Sequence, residues 1–494
     1  MDSILDSMQH SMAHSTMHFM KEAFNEAQKA LGVSDPNPAV GAIVVDSNQT
    51  IIGRGHTQEA GQAHAEVMAL NDAASSLLSA GDLSNSVLYV TLEPCSHYGR
   101  TPPCTIAIEK SGIRKVVIAR RDPSEKVQGI SYLESIGIEV SVIPQDLFIE
   151  EVFWTLGPFF TSEKYKKPQV YLKWAQTAKG NLGPASGNSG NITSVASREI
   201  VHRLRRKFHA TLVTPGTVRA DSPSLNIRDG ALSLKGVIQG DSFLRNMLLA
   251  LDEPDVTMLD SEQLSATLDN PRGRINDKSK DNTKDNTKDK TKDKTNVNSK
   301  DKLIDVSNNT TKGIIKNDTK GNPNKKKDHP VRYFMLPGIT KEWNSDALDA
   351  FLLKQKNIGG NFRFLTDDKN LYKQLVDEAY TATFIEDFND PETWLTSLYE
   401  DGVTQLMIEA GPAFAELLTA KDIPHSYLCF STSFSPDWDD QGREFSLSQE
   451  LTNRNGGLDS DVELPEALKD FHHETISIDA QNYQEYLHVF SKFL

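Results

Sequence analysis

The sequence predicts an α/β protein of two domains, with a low-complexity segment inserted into the second domain. Helix-like and strand-like segments alternate through residues 17–146, as expected for layered α/β architecture. A new strand-like run begins at Gln169, and Asp281–Thr295 is a near-perfect tetrapeptide repeat (DNTK DNTK DKTK DKT). A chain of 494 residues is long enough for two or three domains that each bury a core.

The first domain is expected to span residues 17–146, after an unstructured lead-in of residues 1–16. Apolar residues recur at helical spacing from Met20 to Leu31, which predicts the first helix. A strand hairpin is expected next, followed by alternating helices and strands. The predicted strands are 42–45, 50–53, 87–91, 114–119 and 138–143, and the predicted helices are 63–74, 105–110 and one around Tyr132. This order is typical of a three-layer α/β/α domain.

Two short runs in the first domain combine residue types that bind metal. His64 stands two residues before Glu66, and a Glu-Pro-Cys run ends at Cys95, with a second cysteine at Cys104. One histidine and two cysteines are the protein ligands that a catalytic zinc uses while one position stays open for water. Glu66 is placed to move protons rather than to bind metal. The pattern therefore predicts a zinc-dependent deaminase site.

A structural zinc is the alternative interpretation of the same residues. Such a site normally needs a fourth protein ligand. Cys429 is the only other cysteine, and His97 lies in the loop between the two cysteine ligands. A structural zinc predicts that Glu66→Gln leaves function intact, whereas the catalytic zinc predicts that it does not.

The composition argues against nucleic-acid-binding, disulfide-rich and membrane-spanning proteins. A net charge of −15 argues against a nucleic-acid groove. Three cysteines leave no disulfide framework, which suits a reducing cytoplasm. No apolar run approaches a membrane span, and the N-terminus lacks the features of a signal peptide. We therefore expect a cytoplasmic protein with no membrane partner.

The second domain is expected to cover residues 169–228 and 329–494, after a linker of residues 147–168. Its predicted strands are 169–175, 210–213, 333–336 and 403–408, and its predicted helices are 197–207 and 413–419. Residues 229–328 are interpreted as a disordered insertion, because their Lys, Asp, Asn and Thr residues cannot bury enough apolar surface to fold. The alternative is a Lys-rich tether for RNA, which interleaved Asp and missing aromatics argue against.

Several motifs resemble a known family. The runs PNPAVG, HAEVMAL and TLEPCSHYGRTPPCT resemble the deaminase half of the bifunctional riboflavin-biosynthesis deaminase–reductases, where the longer loop between the cysteines is the rule. The runs GTVRADSPSLNIR and MIEAGP are similar to the reductase half. The resemblance implies a cytidine-deaminase-like three-layer α/β/α domain followed by a dihydrofolate-reductase-like α/β domain that carries the insertion.

The resemblance also implies an activity and the residues that carry it. His64, Cys95 and Cys104 would bind zinc, and Glu66 would be the catalytic proton shuttle. The substrate would be 2,5-diamino-6-(5-phosphoribosylamino)pyrimidin-4-one, which loses its 2-amino group before NADPH reduces the ribosyl to a ribityl chain. The implied substrate-binding residues are Asn37, Lys173, Ser189, Arg205, Leu225, Arg228 and Glu409. The implied cofactor-binding residues are Ala175, Thr217, Asp221 and Gly411.

The reductase half departs from the family pattern at several positions. Lys179 stands where an aspartate is expected, and Asn191 stands where an aromatic residue is expected. One alternative is therefore a deaminase alone, with an inactive reductase-like domain retained for assembly. A second alternative is an RNA-associated zinc deaminase. NADPH against NADH preference and a homo-oligomeric state are left open by the sequence.

Overall fold

The computed structural model describes most of the chain outside the insertion. The described residues are 2–76, 83–177, 181, 192–227, 232–250, 330–336, 343–410, 414, 417–418, 420–421, 423, 425–432, 472–479 and 484–491. None of the helices in these ranges combines the length and the hydropathy that crossing a lipid bilayer requires.

The first domain alternates helices and strands as the sequence predicts. Its elements are α1 (Asp2–Ala30), β1 (Gly41–Val45), β2 (Ile51–His56), α2 (Ala65–Ser76), β3 (Val87–Leu92), α3 (Cys104–Ser111), β4 (Lys115–Arg120), α4 (Gly129–Ser135) and β5 (Glu139–Val142). The five strands form one sheet in the order β2-β1-β3-β4-β5. β1 runs antiparallel to β2 and β3, and β3, β4 and β5 run parallel. The ends of β3 and β4 therefore meet at one edge, beside the predicted zinc ligands.

Two layers of helices cover this sheet. Alternate residues of β1 point to opposite faces, because side chains in a strand alternate with period two. Ala42 and Val44 pack with α2, α3 and α4, whereas Ile43 packs against Phe19 and Phe24 of α1. This arrangement confirms the three-layer α/β/α prediction.

The second domain is built on a ten-stranded sheet. Its elements are β6 (Gln169–Gln176), α7 (Val195–Lys207), β7 (Ala210–Val213), α8 (Pro215–Asp221), β8 (Ile238–Gln239), α9 (Phe243–Leu249), β9 (Val331–Leu336), α10 (Ser345–Ile358), β10 (Phe362–Thr366), α11 (Lys369–Asp377), β11 (Ala382–Phe384), α12 (Pro391–Glu400), β12 (Gln405–Glu409), β13 (His425–Thr432), β14 (His472–Asp479) and β15 (Gln484–Ser491). The strand order is β11-β10-β9-β7-β12-β6-β13-β15-β14-β8. The first seven strands in that order are parallel, and the last three pair antiparallel.

The two domains share a hydrophobic core. Phe24 of α1 belongs to the same cluster of buried residues as Leu204 of α7 and Met247 of α9. The Trp154 ring lies between the domains and stacks on Tyr171 of β6, with ring centroids 5.5 Å apart. Removing either domain would therefore expose apolar surface on the other.

Two predicted boundaries of the first domain need correction. Residues 1–16 were expected to be an unstructured lead-in, but α1 continues back to Asp2. Residues 147–168 were expected to be a linker, but they contain α5 (Ile149–Thr155) and α6 (Gly157–Tyr165). The apolar residues of this segment, including Phe153 and Trp154, are buried, which is why it folds onto both domains rather than spanning between them.

The predicted insertion also begins too early. Residues 229–328 were assigned to it, but residues 232–250 belong to the fold. β8 pairs with β14, and α9 buries Phe243, Leu244 and Met247 in the shared core. The polar composition that indicates disorder sets in only after this helix. The repeat Asp281–Thr295 lies outside the described residues, as do Lys179 and Asn191 and most of the predicted helix 413–419.

Candidate active sites

The predicted zinc ligands converge at the ends of two helices. His64 directly precedes α2, and its carbonyl oxygen accepts a hydrogen bond from the Met68 amide at 3.1 Å. Cys104 is the first residue of α3, and Cys95 lies in the loop that follows β3. Each ligand therefore lies next to the start of a helix or the end of a strand. The hydrogen bonds of these elements hold the neighbouring backbone in place.

The three side chains form a compact donor set. His64 Nδ1 lies 3.3 Å from Cys104 Sγ and 3.7 Å from Cys95 Sγ, and all three donor atoms lie within 4.8 Å of one another. The Cys104 amide donates to Cys95 Sγ at 3.3 Å. One imidazole nitrogen and two thiols at this spacing fit a zinc ion that keeps one position open. The other imidazole nitrogen, Nε2, lies 3.4 Å from the Thr101 hydroxyl, an interaction that fixes the orientation of the ring.

The electrostatics of the donor set favour a thiolate. The hydrogen bond from the Cys104 thiol lowers the pKa of Cys95 to about 4, and the contact with His64 also lowers it. The same pairing raises the pKa of Cys104, so the two sulfurs share one proton when no cation is present. The Cys95 contact raises the pKa of His64. These couplings mark a site that is built for a cation.

Glu66 lies beside the donor set in the first turn of α2. Its side chain is buried, and this burial raises the pKa of Glu66 to about 7. The charge of Cys95 contributes to this raised pKa, and His64 partly offsets it. A carboxyl group whose pKa lies near neutrality can both accept and release a proton, which is the property that a general acid–base needs.

A structural zinc would need a fourth protein ligand, and the described residues do not provide one. Among the described residues, the three predicted ligands are the one cluster of histidine, cysteine or carboxylate groups that could hold a metal ion, and neither His97 nor Cys429 belongs to it. Cys429 is buried in β13 of the second domain. The geometry therefore favours the catalytic interpretation.

Glu93 supports the zinc site but escaped the sequence prediction. Its buried carboxylate accepts hydrogen bonds from the Ile130 amide at 3.0 Å and the Asp122 amide at 3.3 Å. Glu93 thereby ties the end of β3, two residues before Cys95, to α4 and to the loop after β4. The only signal in the sequence was its place in the Glu-Pro-Cys run, which is equally compatible with an exposed residue.

The second site lies where β6 and β12 run side by side. Lys173 and Glu409 occupy paired positions on these strands, with Lys173 Nζ 3.9 Å from a Glu409 carboxylate oxygen. Arg205 of α7 donates to the other carboxylate oxygen from Nε at 2.7 Å and from Nη2 at 2.6 Å. Three residues predicted from different parts of the chain to bind substrate are therefore in direct contact.

In this second cluster, the neighbouring charges and burial together set the pKa values of Glu409 and Lys173. Burial alone would raise the pKa of Glu409, but the charges of Arg205 and Lys173 outweigh burial and hold the pKa below its usual value. Burial lowers the pKa of Lys173, because the charged form loses its hydration, and Glu409 only partly compensates. The cluster is an ion triad with one cation in excess, which suits an anionic or electron-rich ligand.

Other predicted reductase residues surround this triad. Ala175 shares with Lys173 the partly exposed face of β6. The Thr217 hydroxyl donates to the Glu409 carbonyl oxygen at 3.4 Å, and the charge of Asp221 acts on Lys173. An added Cβ at Gly216 would meet no atom within 4 Å, so open space adjoins the start of α8. These features fit a dinucleotide phosphate and ribose, whose recognition commonly uses backbone amides and hydroxyls after a strand.

Of the remaining residues predicted to bind substrate or cofactor, some lie in the described part of the chain and others do not. Leu225 is buried in the loop after α8. Asn37 lies in the first domain, in a turn closed by the hydrogen bond from its amide to the Ser34 carbonyl oxygen at 2.9 Å. Ser189, Arg228 and Gly411 lie outside the described residues. Sequence reasoning missed Phe430, whose ring centroid lies 5.8 Å from Lys173 Nζ, because this contact requires β13 to lie next to β6.

Two family profiles match the chain in the same order as the two domains. The cytidine and deoxycytidylate deaminase zinc-binding region matches residues 14–120. The RibD C-terminal domain matches residues 168–302. The first match includes every predicted zinc ligand and Glu66, and the second includes Lys173 and Arg205.

Curated relatives and solved structures agree with these profiles. Riboflavin biosynthesis protein RibD of Aquifex aeolicus is 45% identical over 213 residues, which are 43% of this chain and 57% of that protein. Riboflavin biosynthesis protein RibD of Escherichia coli is 38% identical over 213 residues, which are 43% of this chain and 55% of that protein. The matched region thus spans a little more than half the length of these relatives.

A crystal structure of a diaminohydroxyphosphoribosylaminopyrimidine deaminase/5-amino-6-(5-phosphoribosylamino)uracil reductase from Thermotoga maritima aligns with a TM-score of 0.59. The alignment has 23% identity and covers 97% of this chain and 99% of that chain. Acinetobacter baumannii RibD aligns with a TM-score of 0.60 at 21% identity, with the same coverage. At these identities the structures show that the fold is shared. The chain is therefore similar to RibD proteins of riboflavin biosynthesis in each of its two domains and in their order along the sequence.

Proposed function

We propose that this chain is a bifunctional enzyme of riboflavin biosynthesis. Its first domain would hydrolyse the 2-amino group of 2,5-diamino-6-(5-phosphoribosylamino)pyrimidin-4-one, releasing ammonia. Its second domain would use NADPH to reduce the ribosyl group of the product to a ribityl chain. The observation that carries the proposal is the convergence of His64, Cys95 and Cys104 beside a buried glutamate, in one chain with a partly buried Lys–Glu–Arg triad.

In the deaminase half, His64, Cys95 and Cys104 would hold the zinc ion. Zinc, when bound, acts as a Lewis acid and lowers the pKa of a coordinated water to near neutrality. Glu66 would accept a proton from the attacking water molecule and deliver a proton to the departing amine, so that the overall reaction exchanges an amino group for a carbonyl oxygen. Its pKa of about 7 suits both transfers at neutral pH.

In the reductase half, the triad would bind and orient the substrate. NADPH, when bound, supplies the hydride. Arg205 and Lys173 would attract the phosphorylated substrate, because both carry positive charge in a partly buried site. Glu409, held ionised by those two cations, would accept hydrogen bonds from the sugar hydroxyls. Thr217 and Asp221 of the adjoining helix α8 would contact the cofactor.

The remaining features of the proposal concern partners and compartment. The proposed ligands are small molecules, and we propose that neither RNA nor a membrane is a partner. The three cysteines are all free thiols, which agrees with action in a reducing cytoplasm.

A two-signal assay tests this function. The purified chain is given the diaminopyrimidinone phosphate with and without NADPH, and ammonia release and NADPH absorbance are followed together. Glu66→Gln should abolish ammonia release with zinc still bound, whereas the exposed Glu59→Gln serves as its matched control. Glu409→Gln should reduce NADPH consumption and leave ammonia release intact, with the exposed Glu400→Gln as control.

Each result of this assay supports or contradicts one of the alternatives. Ammonia release without NADPH consumption by the unmodified chain would mean that the reductase half is inactive. Absence of both signals in a zinc-loaded chain would contradict the assigned substrate. Normal ammonia release by Glu66→Gln would contradict the acid–base role of Glu66.

A further inference from the structure

The loop of residues 222–225 has an unusual backbone. Ser222 has φ +43° and Leu225 has φ +50°, both in the left-handed region that residues other than glycine rarely adopt. Two such residues within four positions cost free energy, which the surrounding structure must supply. The loop is therefore held in this conformation by contacts outside itself.

Three side chains from elsewhere in the second domain hold the loop. Arg332 Nη1 of β9 donates to the Ser224 carbonyl oxygen at 2.9 Å. Gln355 Nε2 of α10 donates to the Pro223 carbonyl oxygen at 2.9 Å. Lys354 Nζ donates to the carbonyl oxygen of Ser222. Three successive carbonyl oxygens of the loop are thus bound by side chains.

Two of these three side chains are deeply buried. Arg332 is 2% exposed and Gln355 is 0% exposed, whereas Lys354 is exposed. The Arg332 guanidinium also donates to the carbonyl oxygen of Gly359 and lies 5.4 Å from the ring centroid of Phe362. Among the described residues no carboxylate pairs with it. Because the Arg332 guanidinium donates to backbone carbonyl oxygens rather than to a carboxylate, its hydrogen bonds hold the backbone in place.

The loop adjoins the proposed reductase site. Asp221, whose charge acts on Lys173, immediately precedes it. Leu225, implied to bind substrate, is its last residue and is 3% exposed. A displacement of the loop would therefore move a residue of the proposed cofactor site and a residue of the proposed substrate site together.

We propose that Arg332 and Gln355 are positioning residues of the reductase half, which fix the 222–225 loop so that Asp221 and Leu225 meet the cofactor and the substrate. This inference rests on the proposed function. It assigns no chemical step to either residue. Lys354 contributes little, because an exposed lysine loses most of its interaction energy to water and to side-chain entropy.

The test uses Gln355→Met in the full-length chain. Methionine keeps the volume but removes the donor, and it also removes Gln355 Oε1, a buried acceptor without a hydrogen-bond partner among the described residues. The lost acceptor offsets part of the cost of leaving the Pro223 carbonyl oxygen without its donor, so the melting temperature should fall only slightly. KM for NADPH and for the deaminated substrate should increase about fivefold to tenfold, the effect of one lost hydrogen bond. kcat should change less than twofold.

Two further variants and one readout complete the test. Arg332→Lys keeps the charge but cannot bond both carbonyl oxygens, so KM should increase by at least as much. Lys356→Met, on the same helix and exposed, is the matched control and should change nothing. Amide hydrogen exchange of Ser222, Ser224 and Leu225 should accelerate in the Gln355→Met and Arg332→Lys variants only. Ammonia release serves as the internal control for folding.

Unchanged KM values in Gln355→Met, with accelerated exchange or without it, would overturn the positioning role. An equal loss of ammonia release and of melting temperature would make Gln355 a general structural residue and would also overturn it. A wild-type chain that consumes no NADPH would contradict the proposed function itself. In that case the exchange of the Ser222, Ser224 and Leu225 amides still decides whether the two side chains fix the loop.

Discussion

Gly129 offers a sharp test of how the deaminase site is supported. It is the first residue of α4, and a Cβ added to it would lie 2.0 Å from the Pro94 carbonyl oxygen, directly before Cys95. Ordinary van der Waals contact begins at 3.4 Å, so Gly129→Ala must move Pro94 or α4 by about 1 Å or more. Such overpacking costs about 1–3 kcal/mol of stability. A shift of ~1 Å near the reacting groups costs on the order of a hundredfold in rate.

The assay for Gly129→Ala measures zinc affinity by chelator competition, ammonia release and NADPH consumption. We expect weaker zinc binding and a kcat/KM for deamination that falls about a hundredfold, with NADPH-dependent reduction of separately supplied deaminated substrate nearly unchanged. Gly99, in the loop between the cysteines, is the matched control, because an added Cβ there meets no atom within 4 Å. If Gly129→Ala behaves like Gly99→Ala in zinc affinity and in deamination, the close approach of α4 to Pro94 does not support the site.

Two further predictions concern stability. The buried Glu485 carboxylate accepts hydrogen bonds from the Ser194 amide and hydroxyl, both at 2.7 Å, and from the Ser197 hydroxyl, at the start of α7. Glu485→Gln should lower the free energy of unfolding by about 1–3 kcal/mol in urea titration, and no loss would contradict this capping role. Burial, and then the neighbouring Glu150, raises the pKa of Glu474 to about 8, so ionisation opposes folding as pH rises from 4.5 through 8. Glu474→Gln should therefore be stabilising at pH 9 but neutral at pH 4, and a gain independent of pH would refute the shift.

Local patterns in the sequence were sufficient to predict the zinc site. His64 and Glu66 lie at one helix start, and their spacing specifies their relation without any knowledge of the tertiary fold. Cys95 lies in the loop between β3 and α3, and Cys104 is the first residue of α3. The site is therefore assembled from two short segments, and its chemistry depends on residue types that few other functions require together.

The reductase triad could be predicted only through a family resemblance. Lys173 and Glu409 become neighbours because β12 inserts between β6 and β7, a pairing across more than two hundred residues of sequence. Nothing local specifies that register. Arg205 lies on a helix whose charged residues would ordinarily be solvated, and only the packing of α7 turns it towards Glu409.

Composition did not indicate that residues 232–250 belong to the fold. Residues 232–250 are followed by polar sequence and match no strong periodic pattern. Their Leu, Ile, Phe and Met side chains are nevertheless buried against α7 and β14. A short helix such as α9 is marginal in isolation, so its existence depends on a tertiary surface that the sequence does not display.

Because the two domains share a core, a loss of global stability should reduce both proposed activities. α1 covers one face of the first sheet, yet Phe24 also belongs to the cluster that contains Leu204 of the reductase helix α7. Lys207 at the end of α7 donates to the Gln28 carbonyl oxygen at 3.0 Å, so the helix that carries Arg205 is bonded to α1 of the first domain. The close approach of Gly32 to the Arg206 carbonyl oxygen, where a Cβ would lie only 2.2 Å away, tightens the same junction. Because α7 contacts both the triad and α1, the first domain is part of the scaffold of the proposed reductase site, and cutting the chain at residue 168 should impair reduction even if both fragments fold.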